Sequence, residues 1–189
     1  MRDIYICDFD HTIFDSCGEA ARHFGVSIDK VKNPRMEIDG ISHEEILNYW
    51  IDPNGLYRNG EFNWGVVDFL NGKNVVMVSL SKTKNGIKMK SDLIAEFFEK
   101  HHKNESSESF LPKNLIPFLN EEYEEVSYFN IVEIFRSLGF NPIAVDDSPR
   151  RIEFAKKLKM EYILVEQNWN KDYATGAKLI LKPNKHNRY

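Results

Sequence analysis

Short apolar, β-prone runs in this chain stop abruptly at residues able to do chemistry. Ile4-Tyr5-Ile6-Cys7 ends at Asp8, Asn74 to Val78 ends at Ser79, and Pro142 to Val145 ends at Asp146-Asp147. A fourth run, Tyr162 to Val165, has the same character. Near-continuous apolar runs of this length fit parallel strands buried on both faces. Amphipathic segments separate them. Ser91 to Lys100 has Ser91 as a cap, Asn130 to Leu138 is stopped by Gly139, and Pro149 to Leu158 opens with a proline whose missing N–H is harmless in a first turn. This alternation predicts an α/β fold with a doubly wound parallel sheet. Such sheets bind ligands beyond the carboxyl ends of their strands, so Asp8, Ser79 and Asp146 are expected along one edge.

One segment breaks the alternation. Ser42 to Ile51 reads as a helix, with Ser42 as N-cap and Glu45 completing a capping box. Turn-rich pieces surround it, Asp52-Pro53-Asn54-Gly55 and Arg58-Asn59-Gly60. The expected organisation is a core formed by residues 1–13 and 65–189, with 14–64 a small, mostly helical insertion over the active edge. The length of 189 residues, with 42% apolar and 13% aromatic side chains, supports one packed domain with such an insertion. A net charge of −4 argues against a protein that grips nucleic acid through its overall field. The basic end, Lys178, Lys182, Lys185, His186 and Arg188, reads as a short solvated tail. Two cysteines, Cys7 and Cys17, make neither a disulfide framework nor a zinc site, which places the chain in a reducing cytoplasm. Met1-Arg2-Asp3 leads directly into a strand, so no signal peptide is expected, and no apolar run is long enough to span a bilayer.

Asp8-Phe9-Asp10-His11-Thr12 is the central signal. Two carboxylates two residues apart, just past a strand end, can face one ligand if the chain bends. One can attack phosphorus while the other transfers a proton at the leaving oxygen. Two acids and a phosphate dianion repel one another, which calls for a divalent cation. Asp146-Asp147 adds oxygen donors of the kind Mg²⁺ prefers, and the same pair would also complement the helix dipole ahead of Pro149. Ser79, with the backbone N–H groups after it, could hold a phosphate.

Together these residues resemble the haloacid dehalogenase superfamily of phosphohydrolases. Asp8-Phe9-Asp10-His11-Thr12 matches its first motif, Val75 to Ser79 its second, and Val145-Asp146-Asp147-Ser148 its fourth. The resemblance spans about residues 4 to 166, and the insertion lies where that family carries its C1-type cap. It implies that Asp8 is the nucleophile forming a phosphoaspartate, and that Asp10 protonates the leaving group and then activates water. It also implies Mg²⁺ held by Asp8, the Asp10 carbonyl and Asp146, with Asp147 ligating or orienting a bound water, and Ser79 binding the phosphoryl group. Fixed donors and a cation of this kind supply most of what phosphoryl transfer requires.

The family's third motif, a lysine near the start of the helix before the acidic pair, has no counterpart here. Glu121 to Tyr128 contains no lysine. Lys113, following Phe110-Leu111, is the expected replacement, and Lys82 is an alternative.

Substrate contacts are expected within or beside the insertion, from Arg35, Tyr49, Trp50, Tyr57, Arg58 and Trp64. Aromatic rings can stack a base or sugar, and arginines can pair a second anionic group. A small phosphomonoester, for example a nucleotide, is the expected substrate. A phosphorylated nucleic-acid end is the alternative, and it would require Arg150, Arg151, Lys156 and Lys157 to form a basic track. A catalytically silent binding module has only the missing lysine in its favour, and dehalogenation does not need the second aspartate. His101-His102 reads as the start of a solvated loop without a role, and Glu121 to Glu125 as an exposed face or loop.

Overall fold

The computed structural model describes residues 1–32, 37–103 and 111–182. Arg35, Phe110, Lys185, His186 and Arg188 therefore lie outside the described residues. Six strands form one wholly parallel sheet: β1 (Arg2–Asp8), β2 (Val75–Leu80), β3 (Leu115–Phe118), β4 (Phe140–Asp146), β5 (Glu161–Val165) and β6 (Leu179–Leu181). Their order is β3-β2-β1-β4-β5-β6. The chain leaves β1 towards β2 on one side and later returns to place β4 on the other. Asp8 thus ends the strand at the switch point, where an open α/β sheet forms its crevice.

The expected doubly wound α/β architecture is present, and each apolar run is a buried strand. Each face of the sheet carries its own hydrophobic layer. Ile4, Ile6, Val76, Val78 and Ala144 point to one, and Cys7, Val75, Met77, Ile143 and Val145 to the other. Period-two alternation assigns the two sets. The first layer is covered by α6 (Glu121–Ser137) and α7 (Pro149–Lys157) through Tyr128, Val132 and Ile152.

The second layer continues without a break into the segment between β1 and β2. There α1 (Ser16–His23), α2 (His43–Ile51), α3 (Leu56–Asn59) and α4 (Trp64–Leu70) contribute Cys17, Ala20, Ile46, Leu56 and Val66. The helix α2 starts as its sequence dictates. Ser42 accepts from the Glu45 N–H while the Glu45 carboxylate accepts from the Ser42 N–H, closing the capping box.

Two helices begin earlier than expected. α5 (Lys84–Glu96) is capped by Thr83 rather than Ser91, because the Thr83 hydroxyl accepts from the Gly86 N–H. It runs on into a π-helical turn, Phe97–His101. α6 starts at Glu121 under an Asn120 cap, so the acidic run forms its first turns, where the helix dipole favours negative charge. A strand outside the four apolar runs, Leu115–Phe118, lies at the sheet edge, where Pro117 can be accommodated. His102 is buried against Phe97 and Phe98 rather than solvated. Among the described residues, no helix is long and apolar enough to cross a membrane.

Candidate active site

The carboxyl ends of β1, β2 and β4 converge on one group of buried polar side chains. Asp8 and Asp146 close their strands, while Asp10 and Asp147 lie just beyond them. The turn after β1 needs His11 in the left-handed region, at φ 59°. This bends the chain back so that Phe9 enters the core while Asp8 and Asp10 stay at the edge. Two side chains brace the turn from outside: Gln167 donates to the His11 carbonyl at 2.8 Å and Asn63 to the Thr12 carbonyl at 3.1 Å. Thr12 ties it to the acidic pair, its hydroxyl donating to Asp147 Oδ1 at 2.9 Å.

Asp8, Asp146 and Asp147 bring carboxylate oxygens within 4.8 Å of one another. The second Asp147 oxygen, Oδ2, is buried and has no hydrogen-bond partner among the described residues. An all-oxygen set with an unsatisfied buried acceptor fits a hard divalent cation such as Mg²⁺. Burial pushes all three carboxyls up, Asp146 and Asp147 well above the usual carboxylate range, and repulsion from a neighbouring carboxylate (Asp10 for Asp8, Asp8 for the other two) adds to it.

Asp10 has different surroundings. Its Oδ2 lies 2.5 Å from the Lys90 ammonium, and its Oδ1 accepts from Tyr57 at 2.9 Å and Ser16 at 3.1 Å. Ser79 lies 3.2 Å from Asp10 Oδ2 and accepts from Lys90 at 2.9 Å. Burial alone would raise the Asp10 carboxyl, but Lys90, His11 and these hydrogen bonds together bring it below its ordinary value.

Arg151, on α7, is 4% exposed. Its Nε donates to Glu124 at 2.7 Å, and its Nη1 pairs with Asp8 Oδ1 and lies 3.4 Å from Asp146 Oδ2. The guanidinium carbon stands 5.3 Å from the centre of the Phe118 ring.

Above these groups lies an open cleft of about 770 Å³. One wall comes from α2, through Ile46, Leu47, Trp50 and Ile51, and the other carries Lys82, Glu121 and Arg150.

The structure brings Asp8, Asp10, Ser79, Asp146 and Asp147 together. It does not bring Lys113. That lysine is exposed just before β3, at the amino end of a parallel strand and so across the sheet from the site. Lys82 reaches the cleft rim but is exposed and pairs with Glu121. Lys90 is the lysine at the site, and the sequence reading missed it together with Glu124 and Arg151's place there. Of the substrate candidates, Trp50 and Tyr57 line the cleft. Tyr49 is instead turned inward, donating to Glu19 and stacked on His23. Arg58 is exposed outside the cleft lining, and Trp64 packs on Phe62 and His101.

No protein-family model matches the sequence, and no curated protein matches it. Solved structures do match its fold. A haloacid dehalogenase-like hydrolase from Bacteroides fragilis superposes with a TM-score of 0.56 at 13% identity, covering 95% of this chain and 96% of that one. A haloacid dehalogenase-like protein from Agrobacterium tumefaciens gives 0.54 at 13% identity, covering 95% and 93%. A haloacid dehalogenase-like family hydrolase from Streptococcus pneumoniae gives 0.51 at 12% identity, also covering 95% and 93%. The chain has the fold of the haloacid dehalogenase-like hydrolases.

Proposed function

We propose that this protein is a Mg²⁺-dependent phosphomonoester hydrolase that works through an aspartyl-phosphate at Asp8. The observation that carries the reading is the division of four buried acids between two environments. Asp8, Asp146 and Asp147 crowd together as a hard-oxygen set, while Asp10 stands apart on Lys90. Environments that push carboxyl groups apart in pKa suit them to different roles. Asp8 and Asp146, with the Asp10 carbonyl and Asp147, would hold the cation, which when bound neutralises charge on the phosphoryl oxygens.

Asp8 attacks phosphorus as the bond to the leaving oxygen breaks, and Asp10 gives that oxygen a proton. Asp10 then takes a proton from water, the water oxygen attacks phosphorus, and phosphate leaves as the Asp8 carboxylate is restored. Lys90 makes the two roles of Asp10 compatible. It holds Asp10 ionised at rest, and it shares Ser79 as a partner. A phosphoryl group docking on Ser79 draws the ammonium away from Asp10, whose burial then favours taking up a proton from solvent, the one it gives to the leaving oxygen in the first step.

The segment 14–64 covers the substrate side of the site. It lines the cleft with Ile46, Leu47, Trp50 and Ile51 beside Glu37, His43 and Tyr57, and the Trp50 ring in that wall favours a small phosphomonoester with a flat leaving group, such as a nucleotide. The requirement of a nucleic-acid end phosphatase for a basic track is poorly met. Arg150 pairs with Glu121 and Glu124, Lys156 with Glu153, and Lys157 with Glu125, while Arg151 is buried in the site.

The test is phosphate release from p-nitrophenyl phosphate and a nucleotide panel, with and without Mg²⁺, for the wild type and Asp8→Asn. Metal-dependent release that disappears in Asp8→Asn is expected. Release that survives the substitution refutes the nucleophile assignment.

A further inference from the structure

The helix expected to supply a cation to this site supplies an anion instead. Glu124, in the first turn of α6, is 4% exposed and reaches inward. The cation beside Asp8 comes from the next helix, as Arg151. We propose that Arg151 is a phosphoryl-binding residue and that Glu124 is the residue that positions it, a charge exchange between neighbouring helices. The proposal rests on the phosphohydrolase reading of the site.

Four side chains hold the guanidinium. Glu124 accepts from Nε at 2.7 Å, Phe118 lies against the guanidinium, and Nη1 is drawn to Asp8 and Asp146. The polar contacts use Nε and Nη1. Among the described residues, Nη2 has no protein partner, and the side chain lines the cleft. A guanidinium held this way offers two donors, Nη1 and Nη2, in one plane, which matches two oxygens of a phosphoryl group.

Charge also favours the arrangement. An unpaired buried arginine would be costly, and an arginine paired only to Asp8 would quench the attacking carboxylate. Glu124 supplies a permanent counter-charge that takes no part in the reaction, so Arg151 can turn Nη1 from Asp8 to an arriving phosphoryl oxygen while its Nε stays anchored.

Equilibrium binding of inorganic phosphate, measured by calorimetry in the presence of Mg²⁺, reads this directly in the wild type, Arg151→Gln, Arg151→Lys, Glu124→Gln and the double Gln variant. Arg151→Gln is expected to weaken phosphate about tenfold to a hundredfold. Arg151→Lys should recover only part of that, because it restores the charge without the fork. Glu124→Gln should weaken binding in the wild-type background and add nothing once Arg151 is Gln, whereas a purely structural role would lower both. If Arg151→Gln fails to fold, the double variant, which leaves no unpaired buried glutamate, carries the comparison. Phosphate bound within twofold of wild type by whichever Arg151→Gln protein folds overturns the proposal, and so does a wild type that binds no phosphate. Hydrolysis measured alongside keeps the two ideas apart: an active wild type whose Arg151 variants bind phosphate normally loses this proposal and keeps the parent reading.

Discussion

Replacing Lys90 with methionine isolates the energetics of the Asp10 environment. Methionine nearly matches the lysine stem in length, so the main change is the loss of an ammonium from a side chain that is 3% exposed. Breaking a buried ion pair by removing one partner costs about 3–5 kcal/mol. Asp10 keeps hydrogen bonds from Tyr57 and Ser16 and a neighbour in Ser79, which places the expected loss near the lower end, about 3 kcal/mol. For a chain of 189 residues this corresponds to a fall in Tm of roughly 6–12 °C. The pH dependence has a definite sign. In the wild type the depressed Asp10 carboxyl contributes stability above its unfolded value and loses it as pH falls through the folded value. Without Lys90, burial raises the same carboxyl, and its penalty at neutral pH is relieved as pH falls. The gap between the two proteins therefore narrows from pH 7 towards about pH 4. Adding Asp10→Asn removes the stranded charge and should return about 2 kcal/mol. Urea unfolding of the metal-free proteins measures all three. A Lys90→Met loss below about 1 kcal/mol, or one unchanged at low pH, refutes the argument.

The crowded acids should behave in the opposite sense. The Asp147 carboxyl is raised, so its stabilising contribution is present below its unfolded value and lost as pH rises through the folded one. Asp147→Asn should therefore raise the metal-free Tm at pH 8, with the advantage shrinking as pH falls and lost towards about pH 4, and a lower Tm at pH 8 would contradict this. Mg²⁺ at a hundred times its Kd should stabilise the wild type by about 2.7 kcal/mol, roughly 5–11 °C, a shift that Asp146→Asn should abolish in a thermal melt. Trp50→Ala should raise KM for nucleotides while sparing that for a phosphomonoester without a ring, and equal losses on both would remove Trp50 from recognition. Gly60→Ala would set a Cβ 2.6 Å from the fully buried Phe14 ring, and a loss of about 1–3 kcal/mol is expected on unfolding in urea.

Four strands were legible because burial on both faces leaves short, β-branched-rich apolar runs, and α2 because its capping box is local. β3 was hidden by Pro117, and β6 by being only Leu179–Leu181. The acids of the site were readable because each follows a strand. Its two cations were not, because they arrive from helices. Each nevertheless left a trace in the pattern of buried positions. Lys90 falls between Gly86 and Ile94 at four-residue spacing, and Arg151 stands four before Ala155. Glu124 likewise precedes Tyr128 and Val132 on the inward face of α6. A charged residue in register with an apolar stripe has to find a counter-charge inside, and that rule would have found all three. Placing the start of α5 at Ser91 left Lys90 just outside the helix in which its register becomes visible.

The hydrogen bonds from Tyr57 and Ser16 to Asp10 bear on how such a chain can change over time or at the bench. Both donors belong to the stretch between β1 and β2, yet they grip a side chain of the turn that ends β1. The backbone stitches the same junction, with Asp15 donating to Glu61 and Asn63 to Ile13. The stretch is therefore a poor cassette. A chimera that imports a foreign segment here inherits a loosened proton carrier unless it also brings a hydroxyl to each of those two places, so new specificities should be sought by varying the α2 wall in place.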